Sequence, residues 1–150
     1  MIVRHGTVDS TMIPFVSFEP TTDYPLGARR PDLVCTPAGV RLEDVTLAAA
    51  RAGALAGDDL RATGTTLRHQ AAVARAAGRR QLADGLERAA ELTAVPDDEP
   101  LEIYTALRPG RTTPAELEAW AARLDELGAK ATATFVREAA AVSAERGLLA

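Results

Sequence analysis

The chain has 150 residues, with 21 acidic against 17 basic side chains, a net charge of −4 and a pI near 5.2, which is not the clustered basic face of a nucleic-acid binder. Hydrophobic residues make up 47%, but aromatic ones only 4%; an alanine-dominated core buries little area per side chain, so partners are expected to supply part of the stability. The single Cys35 excludes an intrachain disulfide, no apolar run approaches the roughly 20 residues of a membrane span, and no signal-peptide pattern opens the chain, so a cytoplasmic protein is expected.

Residues 1–43 carry Pro14, Pro20, Pro25, Pro31 and Pro37 without helical periodicity. Proline fixes φ and removes a backbone donor. This stretch is therefore expected to be an extended arm, disordered or laid across another protein, ahead of a helical domain at 44–150. Thr46 caps a predicted short helix, Leu47 to Ala52, that Gly53 ends. A second predicted helix opens at Gly64-Thr65 and runs to Ala77, with Leu67, Ala71, Ala74 and Ala77 as its inner face. Gly78 breaks or kinks it. The third, Arg79 to Ala94, carries Leu82, Leu86, Ala89, Ala90 and Thr93 on one stripe and stops before Pro96.

Asp97 and Asp98 suit the start of a fourth helix, weighted by Leu101, Ile103, Tyr104 and Leu107 and ended by Pro109-Gly110. Thr113, Pro114 and Glu116 form the opening of a fifth, with a capping box. Its buried stripe is Leu117, Trp120, Ala121, Leu124 and Leu127, and Gly128 closes it. The last predicted helix spans Ala131 to Glu145, with Phe135, Ala139 and Val142 facing inward. No segment alternates with period two, so the fold class is all-α: a multi-helix domain with an extended, proline-rich N-terminal arm.

The search for chemistry returns little. Arg4-His5-Gly6 resembles the signature of histidine phosphatases, but over about six residues and without the α/β context or a suitable second histidine. His69 falls inside a predicted helix on a solvated or partner-facing side. One cysteine and two histidines do not make a closed zinc site of the usual kind. Asp58-Asp59 and Asp97-Asp98-Glu99 read as helix-start carboxylates, not as an acid/base pair. No phosphate-binding glycine loop or nucleophile elbow is present. No catalytic, cofactor-binding or metal-binding residue is assigned, and the residues alone describe a helical domain without an active site.

Longer stretches resemble the small subunit of the adenosylcobalamin-dependent diol and glycerol dehydratases. They are Asp23-Tyr24-Pro25-Leu26, Thr36-Pro37-Ala38-Gly39, and Leu42 to Leu47. They continue with Arg88 to Asp98, Leu101-Glu102-Ile103-Tyr104, Ala106 to Pro109, and Phe135 to Ala140. The order and spacing cover about residues 23–146, and the central stretch is more similar to the propanediol branch. The resemblance implies a helical, non-catalytic subunit in a dimer of heterotrimers with large and medium subunits. Adenosylcobalamin is held by those two subunits, not by this chain. The complex converts propane-1,2-diol to propanal, or glycerol to 3-hydroxypropanal, with loss of water. Residues 1–22 match nothing in the pattern and do not look like the amphipathic helix that targets some relatives to microcompartments. Tyr24, Pro25, Leu26, Thr36 and Pro37 are the expected partner-binding residues, with Tyr24 and Leu26 as apolar anchors; the alternative is an arm folded back over its own helices. The alternatives are a free-standing helical interaction domain and the histidine phosphatase.

Overall fold

The structure, a computed structural model, describes residues 17–150. Its helices are α1 (Leu26–Arg29), α2 (Leu47–Arg51), α3 (Gly64–Ala76), α4 (Arg80–Leu92), α5 (Glu99–Ala106), α6 (Pro114–Glu126) and α7 (Lys130–Glu145). The all-α class holds, and among the described residues the sole β pairing is an isolated bridge between Cys35 and Arg41. Residues 17–43 wind irregularly through α1 and the 3₁₀ turns Pro31–Leu33 and Leu42–Asp44.

Two helical hairpins, α3–α4 and α6–α7, form the body, and α4 packs against α7. They are built alike, fifty residues apart. Thr63 and Thr113 cap α3 and α6, accepting from Thr66 N (3.2 Å) and Glu116 N (3.3 Å). Each first helix ends on a glycine with positive φ, Gly78 (76°) and Gly128 (79°), a conformation that costs a side chain. The following amide then donates back across the turn, Arg79 N to Ala74 O and Ala129 N to Leu124 O, both at 2.8 Å. Leu67, Ala71, Ala83, Ala89 and Ala90 recur as Leu117, Ala121, Ala133, Ala139 and Ala140. An ion pair between the helices recurs with its signs exchanged, Arg75–Glu87 in the first hairpin (3.5 Å) and Asp125–Arg137 in the second (2.8 Å).

The core lies almost wholly in the second half. Val95, Ile103, Leu117, Ala121, Leu124, Ala129, Ala133 and Val136 form one buried cluster, with Leu92, Leu107, Trp120 and Leu127 packed on it. In the first hairpin only Ala71, Ala74, Ala83 and Ala90 are buried. Small side chains allow α3 and α4 to approach closely. At the mouth of the pair, a Cβ added to Gly64 would stand 3.0 Å from Ala90 O and Thr93 Oγ1.

Several predicted faces are corrected by about one residue, or 100° of helix. In α4 Ala90 of the expected stripe is buried, but Ala83 takes the inward place of Leu82, which is 49% exposed. In α7 the inward residues are Thr132, Ala133 and Val136, not Phe135 and Val142, and Val142 is exposed. Ala77 is outside, at the end of α3, and in α5 Ile103 is buried while Leu101 and Tyr104 face outward. The cause is common: helix pairs close on their alanine faces, and the larger side chains beside them are turned to the flank. Arg88 then covers the half-buried Phe135 ring, its guanidinium 4.7 Å from the centroid.

One cap is made at long range. Ala129 precedes α7 and offers no side-chain acceptor. Glu91 of α4 supplies it, accepting from Ala131 N (2.9 Å), Thr132 N (2.8 Å) and Thr132 Oγ1 (2.7 Å). A carboxylate at a helix N-terminus answers both the orphan amides and the dipole, so Glu91 locks the two hairpins together.

Candidate interaction surface

The titratable groups of the described residues serve the fold. Asp59 is buried and accepts from Ala56 N and from Thr36 Oγ1, each at 2.8 Å. The Ala56 amide first, and then the Thr36 hydroxyl, hold its carboxyl below the usual carboxylate range against the opposing effect of burial. Glu116 closes the capping box on Thr113 and is lowered in the same way. Asp97 pairs with Arg61, and Glu99 with Arg123 at 2.9 Å. Of the carboxylates read as helix-start groups, Asp58, Asp59, Asp97 and Glu99 are engaged in ion pairs or turn-closing hydrogen bonds, while Asp98 precedes α5 without a side-chain capping bond. Among the described residues no group of three His, Cys, Asp or Glu side chains is placed to hold a metal ion.

His69 departs from its expected solvated position. Its ring lies 4.4 Å from that of Phe18, tilted by 37°, and its buried Nδ1 has no hydrogen-bond partner. Desolvation, and secondarily the charge of Arg30, depress its pKa. The Arg4-His5-Gly6 motif lies outside the described residues.

The five expected partner-binding residues separate into two groups. Leu26 is 7% exposed and Thr36 6%. Leu26 meets α3 and α4 beside Val73, Ala74 and Leu86. Thr36 binds Asp59 and accepts from Val40 N. Both side chains are therefore committed within the chain. Tyr24 is 57% exposed, and Pro25 and Pro37 are exposed as well. The surface carries other large apolar side chains, among them Leu47, Leu60, Leu82, Leu101 and Tyr104.

The buried Thr36–Asp59 contact gives a pH prediction. A carboxylate held low in the folded state stabilises above its unfolded pKa of about 4, and that contribution is lost as pH falls through the folded value. Thermal melts of Asp59→Asn are expected to show a lower midpoint at neutral pH and a shallower loss below pH of about 4. A variant melting like the parent at both ends would exclude the role.

Comparison with known proteins shows the family. Residues 20–150 match the family described as dehydratase small subunit. The chain belongs to that family. It is 52% identical over 126 residues to the propanediol dehydratase small subunit of Citrobacter freundii, covering 83% of this chain and 73% of the relative. The propanediol dehydratase small subunit of Salmonella typhimurium is 50% identical over the same length, with the same coverage. A dehydratase small subunit is part of a hydro-lyase complex and implies larger partner subunits. No helix among the described residues is long and apolar enough to cross a membrane.

The sequence could have shown more of this. The fifty-residue repeat is written in the paired threonines, glycines and alanines, and Glu91 in the absence of a local cap before Lys130. The division between buried and exposed leucines had no such signal, because alanines recur on more than one face of the same helices.

Proposed function

We propose that this chain is the small subunit of a propanediol dehydratase, which removes water from propane-1,2-diol to give propanal, with glycerol as a second substrate. It carries no catalytic residue and supports a large catalytic subunit in a cytoplasmic dimer of heterotrimers with a medium subunit. The observation that carries this reading is identity of about half the residues to two propanediol dehydratase small subunits along most of the chain.

Adenosylcobalamin, which supplies the radical chemistry in such a complex, does not fit the described residues. A corrinoid needs a broad, deep bed and a ligand or polar contacts along its rim. The His69 ring lies against that of Phe18 with its Nδ1 buried, and the grooves among the described residues are open to solvent. The cofactor is therefore assigned to the larger subunits, and no step of the reaction passes through this chain. The non-catalytic role is supported by the capping and pairing that occupy Asp59, Glu91, Glu99 and Glu116.

Co-expression with the large and medium subunits tests the reading. The three chains are expected to co-purify and, with adenosylcobalamin, to form propanal from the diol. Leaving this chain out is expected to lose most of the activity, recovered when it is added back. Full activity without it, or no association with the other two, would overturn the reading.

A further inference from the structure

The repeat compares one groove in two states. In the second hairpin, the flank of α6 formed by Trp120, Arg123, Leu124 and Leu127 carries α5. Ile103 enters the core, Leu107 packs on it, and the Glu99 carboxylate meets Arg123 at 2.9 Å. Fifty residues earlier the same flank of α3 carries Gln70, Val73, Ala74 and Ala77. Among the described residues no helix the length of α5 lies there. Tyr24, Leu26 and Gly27 reach it, and an apolar groove remains between α3 and α4.

The exposure of matched positions measures the difference. Leu82 is 49% exposed, whereas Thr132 at the same place in the second hairpin is covered by Glu91 of α4. Leu86 is partly exposed, whereas its counterpart Val136 is wholly buried. At these positions α4 thus carries larger apolar side chains than α7 does, and less covers them. Arg79 stands at the groove's edge.

We infer that this groove takes a short amphipathic helix of the larger dehydratase subunit, seated as α5 is seated on α6. Its apolar face has Ile- or Leu-sized side chains spaced i and i+4, as Ile103 and Leu107 are in this chain. A carboxylate on its flank meets Arg79. The inference rests on the small-subunit reading above and adds the place and form of the contact.

The test uses the full chain with its two partner subunits. Leu82→Glu puts a charge in the groove at a position already half exposed, so the fold is expected to survive, as circular dichroism will show. Its affinity for the larger subunit is expected to fall roughly tenfold or more, from the loss of a buried leucine and the desolvation of the new carboxylate. Val142→Glu, 44% exposed on α7 and outside the groove, is expected to bind as the parent does. A benzophenone maleimide on Leu82→Cys, in a Cys35→Ser background, is expected to cross-link to a helical segment of the larger subunit.

The outcomes separate. If the parent chain does not associate with dehydratase subunits, the small-subunit reading fails. If it associates and Leu82→Glu binds equally well, the groove is not the contact while the reading stands. Cross-links to residues 1–16 of this chain, or to a second copy of it, would give the groove to those occupants and overturn the inference.

Discussion

Replacing Leu124 with alanine is expected to destabilise the isolated chain by about 2–5 kcal/mol and to lower its melting midpoint by roughly 5–20 °C. Leu124 is completely buried at the centre of the only large apolar cluster among the described residues, between α5, α6 and α7. Its neighbours Ala121, Ala129 and Ala133 are too small to refill the space. The first hairpin shows the result of such a change, since Ala74 stands at the matched position and its flank is left as an open groove. The effect is expected to be large because so few big side chains share the load. Binding to the larger subunit favours the folded state by mass action, so the variant's midpoint is expected to recover within the assembled complex. A loss below about 1 kcal/mol in the free chain would show that the site relaxes, and that the alanine-rich core is not near its margin.

The same imbalance explains which parts of the fold could be read from the residues. Helix ends were clear because they rest on local chemistry: Thr46, Thr113 with Glu116, and the glycines at 53, 78, 110 and 128 each satisfy or terminate a single turn. Faces were less clear. In α4 and α7 alanine and larger apolar residues occur side by side, and hydrophobicity favours Leu82 and Phe135 as the inward ones. Close approach of helices favours the alanines instead, and it prevailed at Ala83 and Ala133. The family resemblance was carried by stretches that the profile match extends from residue 20 to residue 150. It did not indicate that Leu26 and Thr36 are used within the chain, because their partners on α3, on α4 and at Asp59 are remote in sequence.

Removing residues 1–43 is expected to abolish tight binding to the larger subunit while leaving most of the helical signal, whereas removing residues 1–16 is expected to cost much less. The longer deletion takes Phe18 from His69, Leu26 from the α3–α4 groove and Thr36 from Asp59. None of these side chains belongs to the buried cluster of Val95 to Val136, so α5, α6 and α7 keep their core. The first hairpin loses the one large side chain buried against it and is expected to melt earlier, as a separate transition. The exposed members of the matched arm, Tyr24, Pro25 and Pro37, go with the deletion. Large exposed aromatics are common anchors of such interfaces, and prolines lower the entropy lost on ordering. Tyr24→Ala in the full chain isolates the anchor from the packing, because Tyr24 is 57% exposed and its loss leaves Leu26 and Thr36 in place. That variant is expected to keep both transitions and to bind roughly tenfold more weakly. Circular dichroism melts and binding to the immobilised larger subunit measure the two effects. Undiminished binding by the 44–150 chain would mean that the arm does not anchor the subunit, and a single broad loss of all helix would mean that the second hairpin depends on the first.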